Sequence, residues 1–108
     1  MKKYTCQCCG YMTLDEKSGN YDICPICLWE DDWQQNKGYD TYVGANSGVS
    51  LRQAQKNFKE FRAYTEKHIS NVRKPTKSDK KDPNWKPIRE DAPHIDLFYY
   101  EAGIQKPR

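Results

Sequence analysis

Two Cys-x-x-Cys pairs, Cys6-Gln7-Cys8-Cys9 and Cys24-Pro25-Ile26-Cys27, stand fourteen residues apart near the start of the chain. Nothing else in the sequence restricts the fold as strongly. The spacing lets both thiolates of one tight turn reach a common point while backbone N–H groups of the turn face the sulfurs. Two such turns brought together supply a tetrahedron of sulfurs with arms of about 2.3 Å and no open position, which is the ligand set of a structural zinc site. Gly10, directly after Cys9, suits a turn that needs a positive φ, and Pro25 fixes φ directly after Cys24. The expectation is one structural Zn²⁺ per chain on Cys6, Cys9, Cys24 and Cys27. Cys8 is the odd thiol: Cys6-x-Cys8 is too tight for the usual turn, so Cys8 is expected to pack beside the site as a spare, the alternative being a redox or second-metal role.

A metal shared by both pairs requires the chain between them to fold back. Tyr11–Leu14 and Tyr21–Ile23 are short β-prone runs around a stretch rich in turn formers, which predicts a zinc-ribbon-like hairpin with one pair at each end. Residues 34–49 read as a polar, glycine-bearing connector. Ser50 then has the character of an N-cap, with Gln53 completing a capping box. Leu51, Ala54, Phe58, Phe61, Thr65, His68 and Val72 recur at spacings of three and four, predicting an amphipathic helix over about 51–70. Pro75, Pro83, Pro87 and Pro93 mark residues 73–93 as an extended connector, and the apolar run 95–100 predicts a strand that docks on the domain. The fold class is therefore α+β: a zinc-ribbon-like hairpin, one long helix and a C-terminal docking strand. The division expected is a cysteine-rich zinc domain over 1–72, then a proline- and lysine-rich connector and packing segment over 73–108.

Composition bears on why a metal is needed. Leu, Ile, Val and Phe make up about 15% of the chain, below the roughly 20% of ordinary globular sequences. The eight Tyr and three Trp compensate in part. A thin core of this kind calls for a staple, and an odd count of five cysteines with a charged Met-Lys-Lys start favours a metal in a reducing cytoplasm over disulfides. No apolar run reaches the roughly 18 residues of a membrane span. Thiol-disulfide catalysis is disfavoured, because neither pair opens a helix after a strand. No nucleophile and base, and no open metal position, point to a hydrolase, so the chain is not expected to be an enzyme.

The run from Tyr4 to about Phe61 resembles the bacterial cysteine-rich CPCC domain family. The residues that carry the resemblance are Cys6-Gln7-Cys8-Cys9-Gly10-Tyr11, Thr13-Leu14, Tyr21-Asp22-Ile23-Cys24-Pro25-Ile26-Cys27-Leu28-Trp29-Glu30-Asp31-Asp32, Gly44-Ala45-Asn46, Val49-Ser50-Leu51, Ala54 and Asn57-Phe58, followed by Val72-Arg73 and Pro75. Gln7 stands where the naming motif has proline, which removes a φ restraint and no ligand. The resemblance implies a small zinc-binding protein and no particular reaction.

Partner expectations follow from charge. The net charge is +3, but residues 1–33 are acidic, and four thiolates on one divalent cation add further negative charge. Trp29, Glu30, Asp31, Asp32 and Trp33 are candidate interaction residues on this acidic end, with two alternatives: Trp29 and Trp33 as cover for the metal, and the carboxylates as helix-start or loop-fixing groups. The expected function is a protein-interaction module, in one version an immunity or antitoxin-type inhibitor that plugs a basic toxin. The alternative is nucleic-acid binding, for which the helix face and the basic run 73–81 would have to supply contacts. His68 and His94 are read as structural or exposed.

Overall fold

A computed structural model describes residues 2–17 and 19–97. Its elements are β1 (Tyr4–Thr5), β2 (Met12–Leu14), α1 (Trp33–Lys37), α2 (Leu51–Phe61) and a 3-10 segment over Glu66–Asn71. This is a small α+β arrangement around one core, in which Leu14, Ile26, Trp29, Leu51, Ala54, Phe58 and Tyr64 pack against the cysteines.

The hairpin is shorter and placed differently from the one expected. Met12–Leu14 pairs antiparallel with Tyr4–Thr5, in the register Tyr4 to Leu14 and Thr5 to Met12 with an irregularity between. Tyr21–Ile23 instead folds onto the far arm of its own cysteine turn: Ile23 bridges Glu30, Tyr21 N–H donates to the Asp31 carbonyl at 3.0 Å, and Asp31 N–H donates to Asp22 at 2.8 Å. Each cysteine pair thus closes a small hairpin of its own. Closing a loop of a few residues costs less entropy than closing one that spans both pairs, so the local pairings win.

The segment expected as a connector contains α1. Asp32 caps it, accepting from the N–H groups of Gln34 and Gln35 at 2.9 and 3.3 Å. Ser50 caps α2, its Oγ accepting from Gln53 N–H at 3.1 Å. The helix buries Leu51, Ala54 and Phe58 on one stripe, and burying a Leu or Phe side chain contributes about 1.5–3 kcal/mol.

α2 ends at Phe61, nine residues short of the expected end. Arg62 follows at φ 67°, its N–H donating to the Phe58 carbonyl at 2.8 Å. The chain then turns inward: Tyr64 N–H donates to the Cys27 carbonyl at 2.8 Å, and the Tyr64 ring meets Trp29 edge-on at 5.9 Å. Thr65 is buried and His68 stacks on Tyr64. The apolar spacing beyond Phe61 therefore arises from a re-docked turn and 3-10 segment.

Residues 73–97 cross the surface in extended form and touch both ends of the domain. Met12 N–H donates to Lys80, Asp82 N–H donates to Gly10, and Tyr11 bridges Lys81 antiparallel, so residues 80–82 lie along the outer edge of β2. Farther on, Asp40 N–H donates to the Ile95 carbonyl, while Ile95 and Leu97 N–H groups donate to the side chains of Asp40 and Thr41 at 2.9 and 2.8 Å. Ile95–Leu97 thus docks largely on side chains and forms no strand; the remainder of the expected strand, residues 98–100, lies outside the described residues.

Candidate metal centre

The first turn runs from Cys6 to Tyr11. Cys6 N–H donates to the Tyr11 carbonyl at 2.9 Å and Gly10 N–H returns to Cys6 at 2.8 Å. The second, from Cys24 to Trp29, repeats the pattern, with Cys24 N–H to Trp29 at 3.0 Å and Leu28 N–H to Cys24 at 2.7 Å. Gly10 has φ 83° and Leu28 φ 67°. The left-handed position expected of Gly10 therefore recurs at Leu28, where a β-carbon costs about 1–2 kcal/mol. No glycine signals it in the sequence, so the symmetry of the two turns is hidden there.

All four ligand sulfurs, those of Cys6, Cys9, Cys24 and Cys27, lie within 4.8 Å of one another. Cys6 to Cys27 is 3.5 Å and Cys9 to Cys24 is 3.7 Å. A tetrahedron with arms of about 2.3 Å has edges of about 3.8 Å, so one metal ion fits among them. Disulfides do not compete: all five cysteines are free, and the sulfurs stand well beyond the roughly 2.05 Å of an S–S bond. The ligand residues are 0–1% exposed. Neither histidine joins the cluster among the described residues.

Electrostatics explain why a cation suits this place. Without one, S–H donors from Cys27, Cys6 and Cys9 converge on Cys24 and hold its thiol far below the ordinary range, with Thr13 Oγ1 adding a bond at 3.0 Å. Burial drives Cys6 and Cys27 well above it. Cys24 is thus the sulfur of the cluster most readily ionised, and a metal ion would replace the protons that burial holds on Cys6 and Cys27 as its counter-charge. Trp29 N–H points at Cys27 Sγ at 3.4 Å. Cys8 is buried beside the cluster, and burial pushes its thiol up as well.

A model of the family described as Cysteine-rich CPCC matches residues 4–79. The chain belongs to that family. No curated protein and no solved structure matches it. The match spans both cysteine turns, α1, α2 and the 3-10 segment of this CPCC chain, and stops just before the 80–82 edge.

The expected interaction residues divide. Trp29 is fully buried, with its Nε1 donating to Asn36 Oδ1 at 3.1 Å. Asp31 is fully buried and accepts from Asn36 Nδ2 at 2.7 Å and from Gly19 N–H at 2.7 Å; burial raises its carboxyl despite these bonds. Asp32, besides capping α1, accepts from Ala45 N–H at 3.0 Å. These three hold the loops around the metal turn and offer no surface to a partner, a correction to the acidic patch drawn from sequence. Glu30 is half-buried and Trp33 is 45% exposed.

Other residues of the site carry weak signals in the sequence. Asn46, fully buried, works as a strand substitute: it accepts from Glu30 N–H at 2.8 Å, donates to the Glu30 carbonyl at 2.9 Å, and donates to Gln35 Oε1 at 2.8 Å. Gln35 Nε2 in turn binds the Thr41 and Val49 carbonyls, both at 2.9 Å. Trp85, in the proline-rich stretch, lies on Gly10 so closely that a β-carbon there would stand 2.5 Å from the indole.

Proposed function

We propose that the chain is a structural-zinc protein that works by binding and not by catalysis. The observation that carries this reading is the buried cluster of four cysteine sulfurs, with distances suited to one small tetrahedral ion and all four positions filled by the chain. Zinc is the cation of choice because a complete tetrathiolate site favours zinc or iron, and zinc needs no redox partner. A filled coordination sphere leaves no place for a substrate or an activated water. Free thiols of this kind suit a reducing compartment, and we place the chain in the cytoplasm; among the described residues no helix is long and apolar enough to cross a membrane.

The binding surface for a protein partner is the outer side of the second cysteine turn. Tyr21, Ile23 and Trp33 are exposed there at 54, 58 and 45%, and Tyr42 and Val43 project from the loop that Asp32 holds. Large apolar groups left in water favour an interface. With Asp31 and Asp32 spent on internal bonds, the Glu30–Asp32 run keeps one carboxylate for a basic toxin, and an aromatic contact is what this surface supports.

The test is metal analysis of protein purified without added metal. One equivalent of zinc, lost in strong chelator together with the folded signal, is the expected result. Protein that stays folded and metal-free in chelator, or that carries one coloured, redox-active iron, overturns the zinc reading.

A further inference from the structure

A groove of about 420 Å³ runs between α2 and residues 81–90, floored by Cys8, Cys9 and Phe58. Its far wall is held by a relay through one backbone carbonyl: Gln7 accepts from Gln55 Nε2 at 2.8 Å and from Trp85 Nε1 at 3.0 Å, while Ile88 N–H donates to Gln55 Oε1 at 2.8 Å. The groove is therefore a fixed feature of the docked chain. It shares no residue with the Tyr21, Ile23 and Trp33 surface.

Its rim is basic. Lys56 and Lys59 lie one turn apart on α2, a rise of about 4.5 Å on the same face, and Arg62 follows at the helix end over the Phe58 ring at 4.5 Å. Lys81 faces them from the other wall, 5.5 Å from the Trp85 ring. Among the described residues none of these four cations is in an ion pair with a carboxylate. Arg52 also lines the groove, but its guanidinium is committed to Asp40 and to the carbonyls of Arg89, Ala92 and Pro93. Glu90 is the one acidic group in the lining. Phe58 is the aromatic part of the floor and Trp85 that of the far wall.

We propose that this groove binds single-stranded nucleic acid, with Lys56, Lys59, Arg62 and Lys81 on phosphates and a base against Trp85. The proposal rests on the reading of the chain as a binding module, and not on the protein-contact surface. The volume lies within the range of small-ligand sites and suits one or two nucleotide units. A basic track beside an aromatic surface is the combination that captures single strands with little sequence preference. An acidic peptide would satisfy the cations and leave Trp85 unused.

Fluorescence anisotropy of a short labelled oligouridylate, titrated with the zinc-loaded full chain, tests this. Neutralising three to four phosphates of a single strand gives a slope of log affinity on log salt of about −2 to −3. The exposed pair Lys56→Glu/Lys59→Glu, checked for retained zinc, is expected to lower affinity by at least about tenfold at low salt and to flatten the slope by about 1.4. Trp85→Leu is expected to weaken binding by roughly five- to a hundredfold. The lysine pair keeps the test decisive even where Trp85→Leu fails to fold. Absence of binding by zinc-loaded protein at low salt overturns the proposal while leaving the metal reading intact. An unchanged Lys56→Glu/Lys59→Glu protein also overturns it, as does polyglutamate or uridine monophosphate binding as tightly as the strand.

Discussion

Asn46→Ala removes a side chain that is 0% exposed and makes three hydrogen bonds of 2.8–2.9 Å. It leaves the Glu30 N–H, the Glu30 carbonyl and Gln35 Oε1 without those partners in the interior. An unsatisfied buried polar group costs about 1–3 kcal/mol, and a water admitted into the vacated space recovers part of this, so the expected loss is about 3–5 kcal/mol. Small domains have roughly 5–15 kcal/mol in all, so the variant should unfold at a much lower urea concentration with an unchanged m-value. Glu30 bridges Ile23 directly before Cys24, so metal should also leave faster, which a chromogenic chelator reads as an accelerated rate. Asn46→Asp is the control. It keeps the acceptor for Glu30 N–H, replaces the amide nitrogen that makes both donated bonds with one repulsive oxygen, and should be at least as damaging. A loss below about 1 kcal/mol for Asn46→Ala in the metal-bound protein would refute the assignment of Asn46 as the tie between the loop and the second turn.

Gly10→Ala places a β-carbon 2.5 Å from Trp85 at φ 83° and should cost about 2–5 kcal/mol from backbone strain and overpacking together, measured by urea denaturation. Arg62→Gly relieves a left-handed arginine at φ 67° while losing its contact over Phe58; stability should stay within about 1 kcal/mol of wild type, whereas oligouridylate affinity should fall. Metal binding should release the protons that burial holds on Cys6 and Cys27. Affinity therefore rises with pH and falls on acidification, which competition with a chelator at several pH values checks.

The sequence is informative where one residue type answers one local demand. The two cysteine pairs, Gly10 after the first and Ser50 before α2 are legible because metal ligation, positive φ and helix capping each select a narrow set of side chains. What stays hidden depends on distant partners. Tyr11–Leu14 and Tyr21–Ile23 are β-prone in either pairing, and only the cost of loop closure decides that each folds on its own turn. The apolar spacing through Val72 continues past Phe61 because Tyr64 turns in toward Trp29 and Cys27, a contact that periodicity cannot distinguish from more helix. The helix-start or loop-fixing role open to Asp31 and Asp32 is legible, but not which backbone groups, a dozen or more residues away, they and Asn46 bind. Trp85 and Gln55 meet across Gln7 for the same reason.

The strip at residues 80–82 beside β2 also bears on synthesis. Until residue 82 has left the ribosome, the short sheet at the first cysteine turn presents bare N–H and C=O groups to the medium. An uncovered edge of this sort invites pairing with another nascent chain. A cation captured early would shape the turn without shielding that side, so protection against self-association arrives with the later lysine-bearing stretch.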